Sequence, residues 1–343
     1  MDTGKNIIDI HCHTAGIGAG GSGCFVSPAM RNSWKYAVYL KAFGVTEKEL
    51  AAEGDQLIMR RLSGELSRSR RVKAAVVLAM DGVIGANGEL DREKTEIFIP
   101  NEFVADQCKR YPNLLFGASV NPYRPDAIER LQAVAGSGSV LLKWLPSIQH
   151  IDPADHRLLP FYEKLASLGL PLLTHTGEES SFTLTRNELA DPERLRLPLS
   201  VGVTVIAAHA ATNGRNGGER NHDRFLRLCR EFPNLYADIS ALTQLNRIGH
   251  LQRLLKHREL HGRLLYGTDM PLLNTALVTP WAFLASLSLR QIGSIARIAN
   301  PWDQDVALKE ALGVGEDILL NTERVLPLRL DQKEKQAGGI SSR

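Results

Sequence analysis

Cysteine is scarce in this chain. There are four in 343 residues, at positions 12, 24, 108 and 229, and no two form a Cys-x-x-Cys pair. That leaves no disulfide framework to build on, and no secretory leader is read, so a cytoplasmic protein with reduced thiols is expected. Long hydrophobic runs are missing as well; none reaches the roughly 18 residues of a membrane span. An excess of one charge is also lacking, with 41 Lys and Arg against 38 Asp and Glu. The basic residues are scattered, and the densest group, Arg68, Arg70 and Arg71, reads as the solvated end of a helix. Neither a nucleic acid nor a membrane is therefore an expected partner.

What is present is enough apolar material, 43% of 343 residues, for one large core. Eight apolar strand candidates fall near 6–11, 72–79, 114–120, 139–144, 170–175, 202–208, 234–239 and 263–268. Helical spacing separates them, at 47–67 behind the capping box Thr46-x-x-Glu49, from Pro125 to about 135, and at 154–167, 219–231, 243–257 and 305–312. Strand alternating with helix eight times predicts the α/β class and a parallel (β/α)8 TIM barrel. One domain over 1–330 accommodates it, with an extended loop after strand 1 and a flexible tail at 331–343. Two glycine-rich loops, 14–45 and 210–222, follow strands that carry ligand candidates and are expected to lie over the site. The first also carries Trp34, Tyr36, Tyr39 and Phe43.

The chemistry sits where the apolar runs end. Ile7-Ile8-Asp9-Ile10 runs into His11-Cys12-His13; Leu141-Leu142 into Lys143; Leu172-Leu173-Thr174 into His175; Val205-Ile206-Ala207-Ala208 into His209; and Leu264-Leu265-Tyr266-Gly267-Thr268 into Asp269. Strand side chains alternate faces, so His11 and His13 point the same way and Cys12 points away, into packing. Asp9 shares their phase one layer deeper, where it would either orient a ligand or be a buried acid paired with another partner. Parallel barrels carry their sites at the carboxyl ends of the strands.

Imidazole and carboxylate suit zinc and related divalent ions, with manganese as a second choice. His11, His13, His175 and Asp269 supply three nitrogens and one oxygen. A catalytic zinc keeps one position for water and lowers its pKa to about 7. Asp269 and His209 are the candidates to move protons, and His209 has a second reading as a ligand. Lys143 also has two readings. A free lysine would hold an anionic substrate; a carbamylated one would be an oxygen ligand able to bridge two metals. One or two metals per chain follow from that choice. Arg215 and Trp34 are further substrate-binding candidates. Glu178, Glu179 and Arg220 lie just past ligand positions; they have one reading as a grip on a polar or charged substrate and a preferred one as mobile surface charges. His150, His156 and His222 lie in loops within reach of a substrate, whereas His250, His257 and His261 read as surface helix residues. Taken singly, each His has an ordinary reading as a packed polar side chain; their joint order at strand ends is what points to a site.

With those residues in place, the chain resembles the amidohydrolase superfamily, and within it the amidohydrolase-related branch (amidohydrolase 2). The likeness spans about 6–328 and rests on His11-Cys12-His13, Lys143, His175, His209, Gly267-Thr268-Asp269 and the closing Asn321-Thr322-Glu323-Arg324-Val325-Leu326. It implies a barrel with a mononuclear or binuclear metal centre, in which His11, His13 and His175 bind metal and Asp269 both binds and moves the proton. The function it implies is a metal-dependent hydrolase of a C–N or C–O bond in a small molecule such as a cyclic amide, amide or lactone. The runner-up is a non-oxidative decarboxylase of the same branch. A phosphoesterase is disfavoured because the late motif is Gly-Thr-Asp-Met rather than Asp-x-His. A non-catalytic barrel is disfavoured because every ligand is kept. A homodimer is compatible with the sequence.

Overall fold

The computed structural model describes residues 6–328; the tail expected at 331–343 lies outside them. Eight parallel strands form one sheet in chain order: β1 (Ile7–His13), β2 (Val72–Leu78), β3 (Leu114–Ala118), β4 (Leu141–Trp144), β5 (Leu172–Thr174), β6 (Val205–Ala207), β7 (Leu235–Asp238) and β8 (Leu264–Leu265). The ends meet: Ile10 N–H donates to Tyr266 O at 3.1 Å, His13 N–H to Met270 O at 2.8 Å, and Cys12 bridges Met270. All eight strand candidates in the sequence correspond to these strands, and the fold is the expected (β/α)8 barrel.

Burial on both faces explains why the strands read as continuous apolar runs rather than alternating ones. One face fills the barrel with Ile8, Ile10, Val76, Leu115, Leu141, Leu173, Ile206 and Leu265. The other packs Val77, Phe116, Leu142, Leu172, Val205 and Leu264 against the helices. The helices bury a stripe at i, i+3, i+4: Asn221–Glu231 turns Phe225, Leu228 and Cys229 inward. Among the described residues no helix is long and apolar enough to cross a membrane.

Four local expectations need correction. The helix read at 47–67 is two, Glu47–Glu53 and Gln56–Leu66, because Gly54 takes a left-handed φ of 82° between them. The loop at 14–45 is not structureless. It contains Pro28–Arg31, capped by Ser27, and Trp34–Ala42, capped by Ser33. The helix read from 219 starts at Asn221; Glu219–Arg220 pairs with Arg215–Asn216 in a short hairpin. The stretch 243–257 is interrupted: a 3-10 turn, Leu245–Arg247, precedes the helix His250–Leu255.

Candidate metal centre

The site begins with an irregularity in β1. Asp9 pairs with Ala75 and Cys12 with Val77, so three steps on β1 match two on β2. This extra residue is a β-bulge, which changes the strand's phase. Ile8 and Ile10 face the barrel interior, yet His11 turns toward its mouth and Cys12 packs in the outer layer. Simple alternation therefore misplaces Asp9. It is fully buried against the helix layer, where Oδ2 accepts from Trp302 Nε1 at 2.9 Å and Thr268 Oγ1 at 2.6 Å. Oδ1 accepts the backbone N–H of His11 and of Thr268, both at 3.0 Å. Asp9 thus ties β1 to the segment bearing Asp269, and it orients the ligand strand through the backbone rather than through an imidazole. Burial pushes its carboxyl up to about 6, against the hydrogen bonds it accepts.

His11, His13, Lys143, His175, His209 and Asp269 converge at the carboxyl ends of their strands, lining one cavity. His11 Nε2 lies 3.2 Å from His13 Nε2, 3.0 Å from Lys143 Nζ and 3.5 Å from Asp269 Oδ1. Asp269 Oδ1 is 3.2 Å from His13 Nε2, and its Oδ2 is 3.9 Å from His209 Nε2. The ligand atoms of His11, His13 and Asp269 fall within 4.8 Å of one another, as do those of His11, His209 and Asp238. His175 is in neither group; it stacks edge-on to His209 at 5.3 Å. Its Nε2 is buried and has no hydrogen-bond partner among the described residues. Its Nδ1 is 3.5 Å from Glu179 Oε2.

The tautomers follow from the partners. Asp238 Oδ2 only accepts, so His11 carries its proton on Nδ1, at 2.8 Å, and presents a lone pair at Nε2. The Ser240 carbonyl, 3.1 Å away, likewise accepts from His209 Nδ1 and leaves Nε2 bare. Two lone pairs, a carboxylate and an orphaned imidazole nitrogen facing one space suit a bound cation. By this test the residues fit a divalent metal. Burial disfavours the charged form of both rings: it lowers His11 to about 4, with Lys143 adding to the effect, and takes His209 well below its ordinary value. Burial also lowers Lys143 to about 8. Burial alone would raise Asp269, but His209, His13 and His11 outweigh it and hold the carboxyl well down.

Both proton-moving candidates sit on left-handed backbone, His209 at φ 57° and Asp269 at φ 64°, with Ala210 and Ala211 continuing the first. Such positions cost about 1–3 kcal/mol each for non-glycine residues and persist only where neighbours fix them. Here His209 N–H donates to Asp238 Oδ1 and Asp269 N–H to His11 O, each at 2.8 Å.

Above this cluster the cavity has a volume of about 660 Å³. Trp34 lines its edge, 74% exposed, on the helix that Lys35 ties across the opening by donating to Ser180 O and Phe182 O. Arg215 is not part of the lining. It is exposed on the hairpin and donates to Gly218 O, so its expected contact with substrate has no support. Arg220 is exposed too, and His150, His156 and His222 are absent from the lining. Glu178 lines the cavity, exposed, but Glu179 is buried and not a surface charge.

Two residues escaped sequence reasoning. Asp238 ends the seventh apolar run just as the candidate ligands end theirs, and that position was a usable signal. Arg247 lies nine residues past β7 in a polar turn, with nothing in its spacing to mark it.

Comparison with solved structures gives weak sequence likeness over nearly the whole chain. A TIM-barrel protein from Bordetella bronchiseptica is 18% identical, with 97% of this chain and 99% of that one covered and a TM-score of 0.54. The apo form of IDCase from Metarhizium anisopliae is 13% identical over 97% and 99%, at a TM-score of 0.55. The 5-carboxyvanillate decarboxylase LigW from Sphingomonas paucimobilis is 11% identical over 94% and 99%, at 0.50. At these identities the likeness establishes the barrel alone. No curated relative matches the sequence. The family model described as amidohydrolase matches residues 8–311, and with that match the chain belongs to the amidohydrolase family.

Proposed function

We propose that the protein is a metal-dependent hydrolase of a C–N or C–O bond in a small molecule, such as a cyclic amide, amide or lactone. The observation that carries this reading is the position of Asp269. One of its oxygens faces Nε2 of His11 and of His13, and the other faces Nε2 of His209. In this reading His11, His13, His175 and Asp269 hold one divalent metal, Zn²⁺ or Mn²⁺. When bound, the ion would polarise the scissile carbonyl and make water acidic enough to attack near neutral pH.

The chain's own residues do the rest. Asp269 accepts the proton of the attacking water, and His209 Nε2, 3.9 Å from Oδ2, takes it on. His209 is suited to this because its Nδ1 is committed to Ser240 and its Nε2 is free to receive. It then returns the proton to the leaving nitrogen or oxygen. The apolar wall around Tyr39, Phe43 and Leu145 keeps bulk water from the bond being broken. Decarboxylation is the second reading, favoured by the unpartnered cation Arg247 in the cavity, which suits a carboxylated substrate.

The test is turnover of a panel of lactones, amides and carboxylated aromatics by the purified protein. Chelation should abolish turnover, and added Zn²⁺ or Mn²⁺ should restore it. Full activity in protein shown to be metal-free by elemental analysis refutes metal dependence. Release of carbon dioxide without hydrolysis decides for the second reading.

A further inference from the structure

Arg247 is 7% exposed, lines the cavity, and among the described residues makes no side-chain hydrogen bond. Its Nε and Nη1 are buried without partners, and among the described residues no carboxylate lies within 4.0 Å of its guanidinium. Asp269, Glu179 and Asp238 attract it from beyond contact distance, yet buried donors left without a hydrogen-bond partner are costly, so their retention calls for a ligand that pairs with them directly. A second orphan stands beside it in sequence. Gln244, 3% exposed, also lines the cavity, and its Nε2 has no partner among the described residues. Both unpartnered groups are donors.

The segment carrying them is fixed before any ligand arrives. Gln244 bridges Val278, Leu245 N–H donates to Leu277 O at 2.9 Å, and Arg247 N–H donates to Gln244 O at 2.9 Å. Neither residue belongs to the metal-ligand set described above. The remaining wall is mostly apolar, with Val26, Met30, Tyr39, Phe43, Leu145 and Leu277 among its side chains.

We infer that the Gln244–Arg247 turn is an anion seat for the substrate, and that the substrate is an apolar body bearing a single carboxylate apart from the bond that reacts. This inference rests on the cavity being the active site, and it names the substrate class for that site. A carboxylate is favoured over a phosphate because one guanidinium neutralises one charge. A second negative charge would face Asp269 and Glu179, which already share the cavity.

The experiment measures binding rather than turnover. The probes are 4-phenylbutyrate, its neutral amide 4-phenylbutyramide and phenyl phosphate. Each is titrated by calorimetry into metal-loaded protein and into metal-free protein, where a carboxylate has no metal to coordinate. The parent is expected to bind the carboxylate about 10- to 100-fold tighter than the amide in both forms, the range for hydrogen bonds to a charged group. Arg247→Met should remove that preference, and Arg247→Lys should keep part of it. Thermal melting checks that both variants fold, and Arg247→Lys alone carries the test if the methionine variant does not. Equal binding of carboxylate and amide by the parent overturns the inference, as does a preference that survives loss of Arg247 in metal-free protein. Tighter binding of phenyl phosphate overturns the choice of carboxylate. An Arg247-dependent preference without any metal-dependent hydrolysis would leave the seat standing and remove the hydrolase reading. Hydrolysis of neutral and carboxylated substrates alike, unaffected by Arg247→Lys, would do the reverse.

Discussion

Asp238→Asn should weaken metal binding while leaving the barrel folded. Asp238 is fully buried, and its two oxygens have separate tasks. Oδ1 accepts from His209 N–H at 2.8 Å, Ser240 N–H at 3.0 Å and the Ser240 hydroxyl. Oδ2 accepts from His11 Nδ1. Asparagine has the same shape with one oxygen. Three donors surround the Oδ1 position, so the amide oxygen must stay there and the NH₂ must take the place of Oδ2. That NH₂ then faces His11 Nδ1–H, donor against donor. The cheapest relief is for His11 to move its proton to Nε2, the atom that would hold the metal. Losing such an orienting carboxylate typically costs 10- to 100-fold in metal affinity, which is about 1.4–2.7 kcal/mol. The loss in fold stability should be smaller, on the order of 1 kcal/mol, because only one hydrogen bond is forfeited. Zinc affinity is measured against a competing chelator, and stability by urea melting of the metal-free protein. A variant that binds zinc within two-fold of the parent would refute the assignment of Nε2 as the ligand atom of His11.

Three further outcomes are expected. Asp269→Asn should lower kcat by at least roughly 10²-fold, the low end of a general-base contribution; a variant within a few-fold of the parent, with metal bound, would mean another group is the base. Lys143→Met separates one metal from two: it should spare the metal and weaken substrate binding if Lys143 is free, and should remove one of two metals, counted by elemental analysis, if Lys143 is a bridging carbamate. All four cysteines are buried, and burial pushes the thiols of Cys24 and Cys229 up to about 12. The thiolate is the reactive form, so the folded protein should resist a disulfide reagent at pH 8 and react at four sites in urea; prompt labelling of the native protein would contradict the burial.

The barrel was legible because its signal is local. A parallel strand buried on both faces is an uninterrupted apolar run, and the residue that ends such a run sits at the barrel mouth. His11, His13, His175, His209 and Asp269 were therefore findable one at a time, and their order made them a set. Strand phase was not legible in β1. The bulge after Asp9 depends on how β1 registers against β2, a pairing across some 60 residues that no alternation within β1 encodes. The helix break at Gly54 was visible as a residue but not as a conformation, since glycine inside a helical pattern is compatible with either outcome.

Asp238 and Arg247 show where reading by local pattern stops. Asp238 acquires its role from a contact with a histidine 227 positions away, and Arg247 from a contact it does not make. The first kind of residue can be sought by asking what each remaining strand end offers to the candidate ligands. The seventh run, Leu235-Tyr236-Ala237-Asp238, answers that question once it is put. The second kind is invisible in sequence, because an arginine in a polar turn looks the same whether it is solvated or sealed in a cavity. Arg215 and Arg247 make the contrast. The one placed after a ligand strand, in a glycine-rich loop, lies exposed on a hairpin; the one with no motif around it is buried without a partner. Proximity to a motif therefore places strand-end residues at the barrel mouth well, because strand ends are fixed by the barrel. It places loop side chains poorly, because loops decide for themselves which way a side chain faces.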